Sequence, residues 1–95
     1  MKKKTGSGFS KTPVSCMQEP VLRQLVRTAG LQEMTIWRNR NHAWHLSVTV
    51  KSRPHVLTLS TRRAPRSPRA FTRLEAALAA GQRIRATRQV TLVLR

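Results

Sequence analysis

Trp44-His45-Leu46-Ser47-Val48-Thr49-Val50-Lys51 alternates apolar and polar side chains without a break. A period of two places Trp44, Leu46, Val48 and Val50 on one face of a β-strand, with His45, Ser47, Thr49 and Lys51 on the other. Upstream, the turn-rich Asn39-Arg40-Asn41 separates it from a second β-favouring run, Met34-Thr35-Ile36-Trp37. Downstream, Ser52-Arg53-Pro54 makes a tight connection to a third strand at about 55–61, where Leu57 and Leu59 alternate with Thr58 and Ser60. Three such strands form an antiparallel meander with one apolar face that needs a cover.

Two helical patterns supply the cover. Pro20 opens the first, over about 20–29, with Val21, Leu22, Leu25 and Val26 on one face and Gly30 just past its end. The second follows the helix-breaking run Arg62-Arg63-Ala64-Pro65-Arg66-Ser67-Pro68-Arg69. Thr72 and Glu75 have capping-box spacing, Phe71 stands at the staple position, and Leu74, Ala77, Leu78 and Gly81 make a buried stripe toward Ile84. Val90, Leu92 and Leu94 end the chain as a last strand. The expected fold is α+β, in the order α-β-β-β-α-β: a single layer of mainly antiparallel sheet packed by one or two helices. Residues 19–95 form this domain. Residues 1–18, rich in Lys, Gly and Ser, read as a flexible basic arm that folding does not need.

The chain has 19 Lys and Arg against Glu19, Glu33 and Glu75, a formal charge of +16. Codon usage explains an excess of Arg over Lys but not the shortage of acids. Such self-repulsion is relieved by a polyanion, and nucleic acid is the commonest, because each neutralised phosphate releases counter-ions. Cys16 stands alone, so no internal disulfide forms and no oxidising compartment is implied. Met1-Lys2-Lys3-Lys4 looks like the start of a signal peptide, but no apolar segment follows, and no run approaches the ~20 residues of a membrane span. Cytoplasmic placement is expected.

Catalysis needs a nucleophile, an acid/base set or a metal. Three scattered glutamates offer little, and Glu75 is accounted for as a helix cap. His42 and His45, three apart on a strand, face opposite ways, and neither they nor His55 and Cys16 fit a zinc-ligand spacing. No enzyme, cofactor or metal site is expected. Trp44 shares its face with Leu46 and Val48 and belongs to the core. Trp37 has the opposite parity to Ile36, which leaves core and base-stacking platform both open.

Seven cations without an acid fall between 51 and 73: Lys51, Arg53, Arg62, Arg63, Arg66, Arg69 and Arg73. Several precede a helix start, where cations oppose the helix dipole, so stability does not explain them. They are the candidate nucleic-acid contacts, with Lys2, Lys3 and Lys4 assisting.

The runs Ala43-Trp44-His45-Leu46-Ser47-Val48, Leu57-Thr58-Leu59-Ser60-Thr61-Arg62 and Pro68-Arg69-Ala70-Phe71-Thr72-Arg73-Leu74-Glu75-Ala76-Ala77 resemble small partition-associated proteins of bacterial plasmids, the ParC-type family. The sequence departs from that pattern at Asn41-His42-Ala43 and at Ile84-Arg85. The resemblance implies a DNA-associated role in plasmid maintenance, beside partition proteins. Two alternatives stay open. One is a double-stranded-RNA-binding module, which shares the order α-β-β-β-α. The other is an adaptor that meets an acidic protein, or a second copy, through a sheet edge.

Overall fold

The computed structural model describes residues 15–51 and 53–94. Its elements are β1 (Ser15–Gln18), α1 (Glu19–Ala29), β2 (Leu31–Arg38), β3 (Trp44–Val50), β4 (Leu57–Ser60), α2 (Leu74–Ile84) and β5 (Thr91–Val93). They build a small α+β domain on one five-stranded sheet of order β1-β4-β3-β2-β5. The central β2-β3-β4 meander is antiparallel, with Met34 opposite Val48, Ile36 opposite Leu46 and Ser47 opposite Thr58.

Both edges are parallel. β5 runs beside β2, and β1 runs beside β4 with Cys16 opposite Thr58 and Gln18 opposite Ser60. This corrects the expected arm. Residues 1–14, with Lys2, Lys3 and Lys4, lie outside the described residues, but Ser15–Gln18 is a strand. The four residues Ser15-Cys16-Met17-Gln18 have no hydrophobic pattern of their own, and the partner strand supplies the order. Burial pushes the Cys16 thiol up, so it stays protonated.

The helices cover one face. Leu22 and Val26 of α1 and Ala77, Ala80, Gly81 and Ile84 of α2 pack on Met34, Ile36, Leu46, Val48, Val50, Leu57 and Leu59. Gly81 is a close-approach point, where an added Cβ would stand 2.7 Å from Met34 Sδ. Gly30, at φ 90°, ends α1 by donating to Val26 O at 2.8 Å. α2 starts differently from the capping-box expectation: Arg73 is its N-cap, and no side chain caps it. Phe71 is instead buried in the core and exchanges two 2.8 Å backbone hydrogen bonds with Trp44, which fixes the entry to α2 without Thr72.

The opposite face is polar, as the alternation implies, but not open. His45, Ser47, Thr58 and Ser60 are all buried, none more than 6% exposed. Trp37 belongs to this face: its indole lies 4.3 Å from the His45 ring centroid and donates to Ser47 Oγ at 3.0 Å. Ser47 Oγ in turn meets Thr58 Oγ1 at 2.9 Å. Short polar side chains under an indole exclude water while satisfying one another.

Candidate nucleic-acid interface

The arginine-rich connection from β4 to α2 is stitched into the sheet. Arg69 N donates to Leu59 O at 2.7 Å, Pro68 bridges to Ser60, and Phe71 bridges to Trp44. The segment thus wedges between β3 and β4 where the two strands part. His45 Nδ1 lies 2.8 Å from Arg69 O, and its Nε2 lies 2.9 Å from Asn39 Nδ2. One neutral tautomer serves both contacts: Nδ1–H donates to the carbonyl and Nε2 accepts from the amide. The buried imidazole therefore fixes the backbone that carries Arg69. Between these anchors, Thr61 Oγ1 accepts from Ala64 N at 3.0 Å and Ser67 N donates to Ala64 O, shaping a turn that carries Arg66.

Arg62, Arg63, Arg66 and Arg73 are exposed, and Arg69 is half-buried with its guanidinium 4.6 Å above the Phe71 ring centroid. None of the five has a carboxylate partner among the described residues. Among the described residues, the ion pairs join Glu19 to Arg23 at 2.9 Å and to Arg83 at 3.1 Å. Glu33 accepts instead from Thr91 Oγ1 at 2.7 Å.

Antiparallel pairing brings further cations to the same end of the sheet. Arg38 pairs with Trp44 and holds its guanidinium 5.5 Å from that ring centroid. Arg40 projects from the β2–β3 turn, where Asn39 Oδ1 accepts from Asn41 N and Ala43 N. The sequence carried the signal for both, since in a meander the first turn and the end of the third strand lie at the same end of the sheet. Lys51 and Arg53 do not join them. They follow β3 at the opposite end of β4, where Lys51 N donates to Gly30 O at 3.0 Å and its stem packs against Gly30. The expected cluster of seven is therefore five arginines at one end and two cations at the other.

An open cleft of about 620 Å³ lies at the arginine end, lined by Gln18, Glu19, Pro20, Ser60, Thr61, Arg62, Arg63 and Arg69. Ser60 Oγ is buried beside it with no hydrogen-bond partner among the described residues. An unmet buried hydroxyl costs about 1–3 kcal/mol. The Glu19 carboxylate faces away toward the helices: Arg83 grips both its oxygens through Nε and Nη2, each at 3.1 Å, and Arg23 adds a third bond. The Arg83 hydrogen bonds, ahead of the guanidinium charges, hold the Glu19 carboxyl below its ordinary range despite opposing burial. Among the described residues no group of three His, Cys, Asp or Glu is placed to hold a metal, and no helix is long and apolar enough to cross a membrane.

No protein-family model matches this chain, and no curated protein or solved structure matches it.

Proposed function

We propose that this protein binds nucleic acid through phosphate contacts, as an accessory factor without catalytic turnover. The observation that carries the reading is the set Arg62, Arg63, Arg66, Arg69 and Arg73, anchored at one end of the sheet with no carboxylate partner among the described residues. Guanidiniums without a carboxylate partner on an ordered segment suit bidentate phosphate contact. With the contacts made to the backbone, affinity depends on salt far more than on sequence. DNA in a plasmid-maintenance setting, in the cytoplasm, is the context that the Trp44, Arg62 and Phe71 motifs favour.

The test is affinity for duplex DNA, single strands and duplex RNA across a salt series. Binding should weaken steeply with salt, by a logarithmic slope of about 0.9 for each duplex-DNA phosphate engaged. A flat dependence, or no binding at low salt, refutes the proposal. A preference for duplex RNA replaces DNA with the double-stranded-RNA reading. Pull-downs with and without nuclease address the adaptor reading, because an acidic protein partner survives nuclease and a nucleic-acid bridge does not.

A further inference from the structure

We propose that the cleft beyond the carboxyl ends of β1 and β4 seats a single phosphate group. Its ligands are the Ser60 hydroxyl, the Arg62, Arg63 and Arg69 guanidiniums and the Val21 N–H in the uncapped first turn of α1. This deepens the nucleic-acid reading and rests on it only for the origin of the phosphate.

Four observations converge on the cleft. β1 and β4 are parallel and end together at Gln18 and Ser60, and ligands of sheets with parallel strands collect beyond the carboxyl ends. α1, 11 residues long, begins there with Gln18 as N-cap and no side-chain cap. Glu19 follows the last ladder pair, Gln18 with Ser60, and Pro20 has no N–H to offer, which leaves the Val21 N–H in a first turn that favours an anion. Ser60, 2% exposed, lines the cleft, and its buried hydroxyl just beneath has no hydrogen-bond partner among the described residues. A phosphate oxygen accepts from that hydroxyl. Finally, three arginines line the cleft while its one carboxylate, Glu19, is held by Arg23 and Arg83.

The chemistry selects a tetrahedral oxyanion. Three guanidiniums, a hydroxyl and an amide are all donors, and the oxygens of a phosphate offer acceptors to all of them. At about 620 Å³ the open cleft is larger than one phosphate, so a group attached to a longer strand fits as well as free phosphate.

The test is amide NMR of the full chain, titrated with inorganic phosphate against chloride at constant ionic strength. The seat gives saturable shifts at Glu19, Val21, Ser60–Arg63 and Arg69, while Lys51 and Arg53 stay still. Ser60→Ala should weaken phosphate binding about tenfold, the usual value of a hydrogen bond to a charged group. Arg63→Gln, at an exposed position, should weaken it comparably and serves if the first variant fails to fold. Shifts spread over every arginine without saturation, or variants with unchanged affinity, overturn the proposal. Oligonucleotides with a 5′-phosphate or a 5′-hydroxyl then identify the source. Competition by both assigns the seat to strand phosphodiesters, and competition by the first alone assigns it to a terminal phosphate. Saturation by phosphate with no competition from either keeps the seat for free phosphate and removes the nucleic-acid reading. Oligonucleotide binding that leaves the cleft amides unmoved does the reverse.

Discussion

Lys51 with Arg53, and the arginines from Arg62 to Arg73, are neighbours in the sequence and opposites in the fold. The first two follow β3 at one end of the sheet, and Lys51 serves the structure there by donating its N–H to Gly30 O and covering Gly30 with its stem. The arginines leave β4 at the other end, on a segment tied down through Arg69 N, Pro68 and Phe71. Only eight residues, 54–61, separate Arg53 from Arg62 along the chain, and β4, Leu57–Ser60, lies among them. A strand keeps its ends apart, so a charge density counted along the sequence splits in space. The same geometry adds Arg38 and Arg40, distant in sequence, to the arginine end.

That asymmetry gives the largest expected effect. Replacing Arg62, Arg63, Arg66 and Arg73 together by Ala should lower the salt slope of DNA binding by about 3–4 and the affinity at low salt by roughly a thousandfold. All four are exposed, so the fold should persist. Lys51→Ala with Arg53→Ala should change the slope by less than about 1. Fluorescence anisotropy across a salt series measures both, and equal losses would place contacts at both ends of the sheet.

The legible part of the fold was the part with a period. The alternation from Trp44 to Val50 and the helical stripes of Leu22, Val26, Ala77 and Ile84 are direct images of burial. What stayed hidden depends on pairing. β1 has no pattern before β4 aligns it, and strand order cannot be read from a strand's own residues. The Thr72–Glu75 spacing pointed to a cap that does not form, because the Phe71–Trp44 bridge sets the backbone first. At the candidate site the five arginines were visible as composition. Ser60 was not, since a serine on an alternating strand carries no sign that its hydroxyl will lack a partner.

β1 also divides two regions that the sequence joins, the stretch before Ser15 and the sheet edge after it. A chain starting at residue 19 should be less stable than one starting at 15 by about 2–4 kcal/mol. It loses the parallel ladder to β4, the half-buried Met17 and the lead into α1. Urea denaturation of both truncations measures the difference. Equal midpoints would show that β1 contributes nothing and restore the boundary at 18. Because Gln18 lines the cleft and β1 leads α1 to it, the shorter chain should also lose phosphate-dependent shifts at Ser60.

The smallest expected effect concerns Glu19, where the helix pair and the arginine end meet. Its carboxylate joins Arg23 in the same helix and Arg83 in the last turn of α2. It also sits in the first turn of α1, where negative charge is favourable. The Glu19 side chain is 20% exposed but the arginines are 45% and 49% exposed, so solvent screening keeps the whole network to about 1 kcal/mol. The carboxyl ionises more readily folded than unfolded. The unfolded chain therefore binds the proton first as pH falls, and the stabilisation present at neutral pH is lost through the acid range, down to the folded value. Glu19→Gln should be less stable than the parent by about 1 kcal/mol at pH 7, and the gap should close on acidification and narrow in 1 M salt. The same substitution removes the one carboxylate lining the cleft, so it should tighten phosphate and DNA binding slightly while it weakens the fold. Thermal melts at several pH values, with anisotropy on the same samples, give both signs. Parallel losses of stability and affinity would mean that Glu19 acts at the arginine end only by holding the helices in place.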